Sequence, residues 1–342
     1  MMRPAHPKLS IIIPALGTDE QLEDSLVSVL EHRAADSEVL LVFNRPYADP
    51  YDLGDEVRFV HAPRRRGWAA CVQAAFEQAQ GEFIHVLADN VQVTAAWADA
   101  CLAYFDDPGV ASVAPVVLRG GTSQVHNLGV TYERGGRRKL VGAGLADDAP
   151  EFEAAAAEVI GPSRAAGFYR RGALERLATA WDVRIGDRLC DVDLALRLRE
   201  VGYTSRAALD ARVVCQGPLP CINGAFRDGR FAERLYRRYT TLSSAKPARL
   251  GHMALALGEF ARLPLGIAAL RFLGRLTVQA ESRRGPGVVA ADTNETAAVS
   301  DETRPRYPDA TSSSPTTHRI DSADKRRHEP VARRRRSRRK AA

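Results

Sequence analysis

Five cysteines in 342 residues, an odd number with no C-x-x-C spacing, supply neither a disulfide framework nor a zinc knuckle. A reducing cytoplasm is the compartment this implies. The opening residues, MMRPAHPKLS, lack an apolar h-region and so do not read as a secretory signal. Long hydrophobic runs are missing too. The most apolar stretch, residues 250–280, is broken by Pro264 and Gly266 and interrupted by Glu259, Arg262, Arg271 and Arg275, so no window suits a bilayer span. From Arg283 onward large apolar side chains are almost absent. Such a segment cannot bury enough surface to offset its ordering entropy, and disorder is expected over 283–342.

The remainder is rich enough to fold. Apolar residues make up 45% of the chain, enough for a sizeable core in one large or two ordinary domains. Charge is unevenly placed. Residues 283–342 hold 15 Lys and Arg against 8 Asp and Glu, a net +7, while the whole chain is +6, which leaves −1 for residues 1–282. The alkaline pI of about 9.2 therefore belongs to the tail. Its terminal arginine cluster, with Arg333 to Arg336 at its centre, can attract anionic lipid or nucleic acid, or simply keep the chain soluble. Nucleic acid is disfavoured, because a −1 core does not suggest the basic patches it would need.

Residues 9–14 (LSIIIP) form a short β-branched run closed by proline, as in a buried parallel strand. Thr18 or Asp19 can cap a helix whose Leu22, Leu26, Val29 and Leu30 share one face. Strands are expected at 38–42, 57–60 and 83–87, with a helix over about 68–80. This alternation predicts an α/β protein with a doubly wound, mostly parallel sheet. Ligands in such sheets sit at the carboxyl ends of the strands, which gathers Pro14, Phe43, Asn44 and the Ala88-Asp89-Asn90 stretch around one crevice.

The most informative segment is 189–203, LCDVDLALRLREVGY. Leu194, Leu198 and Val201 recur as one buried helix face, and Gly202 stands where a C-cap belongs. Asp191 and Asp193, two positions apart, point roughly 200° away from each other on a helix and cannot form a carboxylate pair. Either both serve as N-caps, or Asp191 faces a pocket while Asp193 caps the first turn.

This segment resembles the E-D-V-D-L-x-L-R-L-x-x-x-G-Y stretch of family 2 glycosyltransferases, inverting enzymes of GT-A fold, in particular the rhamnosyltransferase-like ones. The resemblance runs over residues 9–217. KLSIIIPALG is similar to the first strand, EVLLVFNRP to the strand whose Asp meets the nucleotide base, and Gly67, Ala79, Gly81 and Glu82 match the following helix and strand. It implies transfer of a sugar from a nucleotide-sugar donor to a glycan or lipid-linked hydroxyl acceptor. Asp191 would be the general base, with Cys190 in place of the preceding Glu. Pro14, Phe43, Asn44, Arg65, Arg66, Gly67 and Asp89 would form the donor site. Phe43 replaces the base-binding Asp and can offer a ring to stack upon.

The metal motif departs from the pattern. Where relatives carry D-x-D, this chain reads Ala88-Asp89-Asn90, and Cys215-Gln216 stands where a metal-binding His is expected. Asp89 and Asn90 are the remaining ligand candidates, so Mg or Mn is expected to bind weakly or to be dispensable, and no organic cofactor is implied. The Arg64-Arg65-Arg66 run before Gly67 can supply positive charge instead, at a helix N-terminus that also favours phosphate, or it can be a solvated loop. Loss of the motif also admits a non-catalytic module that binds sugar nucleotides or glycans.

His126 falls in a stretch similar to an acceptor-side turn, where a packing role is the ordinary alternative. GPSRAAGFYRR (161–171) resembles the strand flooring the acceptor site, and Trp181 can stack on a sugar or belong to the core. Residues 8–217 are thus expected to form the glycosyltransferase domain and 218–282 a helical extension. Its helices pack on the sheet or touch the inner face of a membrane peripherally.

Overall fold

The computed structural model describes residues 7–283, apart from 48, 50, 64–66, 134–135, 220–223 and 243–248. The expected tail beyond 283 lies outside the described residues. By its contacts the chain divides into units 1–289 and 290–342, and every described residue belongs to the first.

Its strands are β1 (Leu9–Ala15), β2 (Ser37–Phe43), β3 (Val57–His61), β4 (Phe83–Leu87), β5 (Val91–Val93), β6 (Val110–Arg119), β7 (Val125–Asn127), β8 (Val130–Tyr132), β9 (Arg138–Leu140), β10 (Ala166–Arg170) and β11 (Thr204–Cys215). The helices are α1 (Asp19–His32), α2 (Trp68–Phe76), α3 (Trp97–Leu102), α4 (Phe152–Ala156), α5 (Arg171–Leu174), α6 (Cys190–Glu200), α7 (Ala225–Leu242), α8 (Arg249–Arg262) and α9 (Leu265–Arg283). Nine strands form one sheet in the order β3-β2-β1-β4-β10-β6-β11-β5, with β7 on β6, while β8 and β9 form a separate hairpin. Pairing is parallel across β3-β2-β1-β4 and between β6 and β11, and β10 runs antiparallel between the two halves.

Period two in the strands builds two cores. On β1, Leu9, Ile11 and Ile13 meet α1 and α3 on one side, while Ile12 meets α2 and α6 on the other. Thr18 caps α1 as expected, its Oγ1 accepting from the Gln21 N–H. The α2 helix is shorter than expected, stopping at Phe76 and giving way to a turn.

Two close approaches fix the geometry. A Cβ at Gly81 would lie 2.5 Å from the Ser10 nitrogen, so only glycine lets the chain enter β4 against β1. Beside it the buried Glu38 carboxylate accepts from Ser10 Oγ and the Gln80 N–H, both at 2.6 Å. In the extension, a Cβ at Gly274 would lie 2.1 Å from the Phe226 oxygen, which allows α7 and α9 to pack backbone to backbone.

His85, at the middle of β4, is fully buried against the Phe168 ring, centroids 3.8 Å apart. The Trp97 indole N–H donates to its Nε2 at 3.3 Å, and the Gly167 carbonyl lies 3.1 Å from Nδ1. An indole N–H can only donate and a carbonyl can only accept, so both contacts are met by the neutral imidazole with its proton on Nδ1. Burial pushes the pKa down to about 3. An unfolded His85 takes a proton near its ordinary value of about 6.5 and the native one does not, so acid removes stability through that window. The loss should reach about 2 kcal/mol at pH 5 relative to neutral pH. Urea unfolding at the two pH values, on wild type and His85→Gln, tests this. An equal loss in both proteins would assign the acid sensitivity elsewhere.

Candidate functional site

The sheet order places the turn after β4 beside the end of β1. Asp89 Oδ2 accepts the Leu16 N–H at 2.6 Å and the Gly17 N–H at 2.5 Å, tying the β1–α1 loop to that turn. Burial pushes the Asp89 carboxyl above its ordinary value, and those N–H groups oppose the shift. Residues 89–90 form a turn rather than a continued strand. Asn90 is buried. Its amide nitrogen donates to the Gly217 and Pro218 carbonyls at 3.2 Å each, and its Oδ1 has no partner. Pro14 ends within buried β1, with its carbonyl taken by the Leu16 N–H.

The expected phosphate site at the start of α2 is otherwise filled. Asp187 Oδ1 accepts the Ala69 N–H at 3.1 Å, and a Cβ at Gly67 would lie 2.3 Å from Asp187 Oδ2. A carboxylate already sits at the positive end of this helix and would repel a phosphate. Arg64, Arg65 and Arg66 lie outside the described residues. Phe43 also differs from expectation. It is fully buried, one face stacked on Tyr47 at 4.0 Å and the ring packed near Phe59. Its place in the core follows from β2 being covered on both sides. Asn44, next along, is half-buried at the strand end. Trp181 is core as well, edge-on to Phe76 and Tyr169.

On α6 the buried stripe is Cys190, Leu194 and Leu198. Val201 lies past the helix and is exposed. Gly202, at φ +92°, closes it, with Gly202 N–H on Arg199 O and Tyr203 N–H on Leu198 O. Neither carboxylate is the N-cap residue, which is Leu189, without a side-chain bond, but Asp191 Oδ1 accepts the first-turn Val192 N–H at 2.8 Å. Asp193 instead meets Arg197 and Arg238. Arg238 also binds Asp182, where burial raises the carboxyl but Arg184 and Arg238 hold it well below the usual range.

Asp191 is clasped by Arg138 of β9. Nε lies 3.0 and 3.1 Å from its two oxygens, and Nη2 lies 2.6 Å from Oδ2. The guanidinium therefore stands where a pocket-facing carboxylate was expected, and Arg138 itself lines the cavity.

That cavity, about 440 Å³, lies between the β8–β9 hairpin, the loop before α6 and the extension. Its lining includes His126, Arg137, Arg138, Arg164 and Arg188 together with Asp228, Glu259, Arg271 and Arg275 of the extension. Arg164 is buried, its guanidinium 5.8 Å above the Trp68 ring, next to Ala165, whose carbonyl accepts the Ala88 N–H. His126 is half-buried with Nδ1 2.7 Å from Asn127 Nδ2, and burial, then Arg119 and Arg138, push its pKa down. Arg188 and Arg271 reach Asp228, and Arg271 and Arg275 reach Glu259. Buried polar atoms remain without partners here: Asp228 Oδ1, Glu259 Oε2, and Nε and Nη1 of Arg275. Sequence reasoning did not single out Arg138, Arg164 or Arg188 for this site.

A hard divalent cation does not fit these residues. Asp89 Oδ2 is committed to two N–H groups, which leaves Oδ1 as its one oxygen for a cation, Asn90 offers one neutral oxygen, and Cys215 and Gln216 add no hard anionic ligand. Among the described residues no cluster of three or more His, Cys, Asp or Glu is placed to hold a metal.

Residues 10–143 match the model of glycosyl transferase family 2, a span that stops short of Asp191. No curated protein matches the chain by sequence. Among solved structures, the mannosyltransferase PcManGT from Pyrobaculum calidifontis, in complex with GDP-Man and Mn2+, is 16% identical over 84% of this chain and 83% of that one, at a TM-score of 0.49. GalNAc-T7 with UDP, GalNAc and Mn2+ is 14% identical over 80% of this chain and 55% of its own, at 0.53. TarS of S. aureus is 12% identical over 74% of this chain and 44% of its own, at 0.51. This chain thus spans about half the length of the last two. The architecture is the GT-A fold, a mixed α/β sheet with helices after it.

The Arg138–Asp191 pair makes a measurable claim. Arg138→Ala strands a buried carboxylate and should cost about 3 kcal/mol. The paired replacement Arg138→Met with Asp191→Leu should recover most of that loss. Urea unfolding of the three proteins decides, and a single variant as stable as wild type would show that the pair carries no weight.

Proposed function

We propose that this chain, which carries a glycosyl transferase family 2 domain over residues 10–143, moves a sugar from a nucleotide-sugar donor to a hydroxyl acceptor with inversion. One observation carries the reading. Arg137, Arg138, Arg164 and Arg188 all line the cavity, and the buried Asp191 carboxylate is bound to Arg138. Guanidinium groups pair with phosphate oxygens in fork geometry, so these arginines suit the donor diphosphate. Fixed positive charge there would offset the negative charge that grows on the leaving nucleoside diphosphate.

Asp191 and the diphosphate compete for Arg138. A donor that draws the guanidinium away leaves the carboxylate able to receive the acceptor proton. The acceptor oxygen then bonds to the anomeric carbon as its bond to the phosphate oxygen breaks. The proton passes to Asp191 and the nucleoside diphosphate leaves. Attack from the face opposite the leaving group inverts the configuration. The unpartnered oxygens of Asp228 and Glu259 and the N–H groups of Arg275 suit acceptor hydroxyls, which donate and accept alike. Because the ligand set around Asp89 does not suit a hard cation, the arginines do this work, and Mg or Mn is weakly bound or dispensable.

The test is nucleoside diphosphate release from a panel of nucleotide sugars, with Mn²⁺ and with EDTA. Release from at least one donor, persisting in EDTA, is expected. Arg164→Ala should weaken donor binding about tenfold or more. Asp191→Asn should abolish turnover yet keep donor binding. Full turnover by that variant would sink the assigned base, and activity that EDTA abolishes and Mn²⁺ restores would return Asp89 to the role of ligand. The bidentate hold of Arg138 on Asp191 also favours a second reading, a module that binds a donor or glycan without turnover. Donor binding with no release under either condition would establish it.

A further inference from the structure

Twelve large apolar side chains are exposed among the described residues, and eight of them lie on α8 and α9. On α8, Met253, Leu257 and Phe260 recur at i, i+4 and i+7, a single stripe. On α9, Leu270, Leu273 and Leu276 form another, set apart from Ala268, Arg271 and Arg275 on the side packed toward α7 and the cavity. Phe260 and Phe272 meet edge to face at 5.8 Å and join the two stripes. A contiguous apolar patch of this kind on a folded surface marks an interaction site.

We infer that α8 and α9 lay this patch on an anionic lipid surface. No helix among the described residues is long and apolar enough to cross a membrane, so the pair would lie in the interfacial plane. Charge selects the occupant. The chain continues beyond Arg283 for 59 residues carrying 14 Lys and Arg against 8 Asp and Glu, and residues 325–342 hold ten of those cations against Glu329 alone. A second copy seated on the patch would bring an equal positive charge, whereas acidic headgroups complement it. The same helices line the cavity through Glu259, Arg271 and Arg275, so docking would set that cavity beside the lipid. The inference is independent of turnover.

The test uses the full chain. Flotation with vesicles of phosphatidylcholine, alone or mixed with phosphatidylglycerol, should show binding to the mixed vesicles, weakened by salt. Leu257, Leu265 and Leu273 are 58%, 72% and 51% exposed, so changing all three to Ser should leave the melting temperature unchanged. The same variant should lower partitioning at least about tenfold. A separate Leu257→Trp variant should show a blue-shifted emission on mixed vesicles, quenched by brominated lipid. No flotation, flotation indifferent to the triple change, or an unshifted tryptophan would each overturn the proposal. So would a dimer in sedimentation velocity that the triple change dissolves while wild type ignores both kinds of vesicle.

Discussion

A carboxylate out of water must be met by donors or cations, and that requirement organises the crevice. Asp89 is met by the Leu16 and Gly17 N–H groups, Asp187 by the first turn of α2, and Asp191 by Arg138. Each bond joins segments far apart in sequence. Asp89 fixes the β1–α1 loop to the β4 turn, Asp187 fixes α2 to the loop before α6, and Arg138 fixes the β8–β9 hairpin to α6. These acids hold the walls of the crevice together.

The positive groups are arranged in a complementary way. Arg137, Arg138, Arg164 and Arg188 reach one cavity from the hairpin, the segment before β10 and the loop before α6. A cation held by the chain offers a fixed charge, whereas a dissociable ion requires ligands of its own. No carboxylate or imidazole ligand stands at Ala88, Asn90 or Cys215. Under the proposed function, the altered motif and these arginines belong to one electrostatic arrangement, although they lie in different parts of the chain.

The extension is part of this arrangement. Glycine contacts let α7 and α9 approach backbone to backbone, and Asp228, Glu259, Arg271 and Arg275 then close the far side of the cavity. The Gly136 turn of the hairpin seats on His252 and Tyr236, whose rings stack at 3.6 Å. Of the three helices that finish the cavity, α8 and α9 are also the ones with apolar outer faces.

The sequence by itself determined the order of β1 to β4 with α1 and α2 between them, and the α6 helix, because period-two and period-3.6 apolar patterns report which face each element buries. It also determined the Gly202 helix stop and the Thr18 cap, since these depend on neighbours a few residues away. Tertiary structure decided what each polar group does. Phe43 became core because β2 is covered on both sides, Asp187 claimed the α2 terminus from 118 residues away, and Asp191 met an arginine 53 residues distant. Local spacing cannot report such partners. Burial assigns a role to a charge only once the chain has brought its counter-charge within about 3 Å.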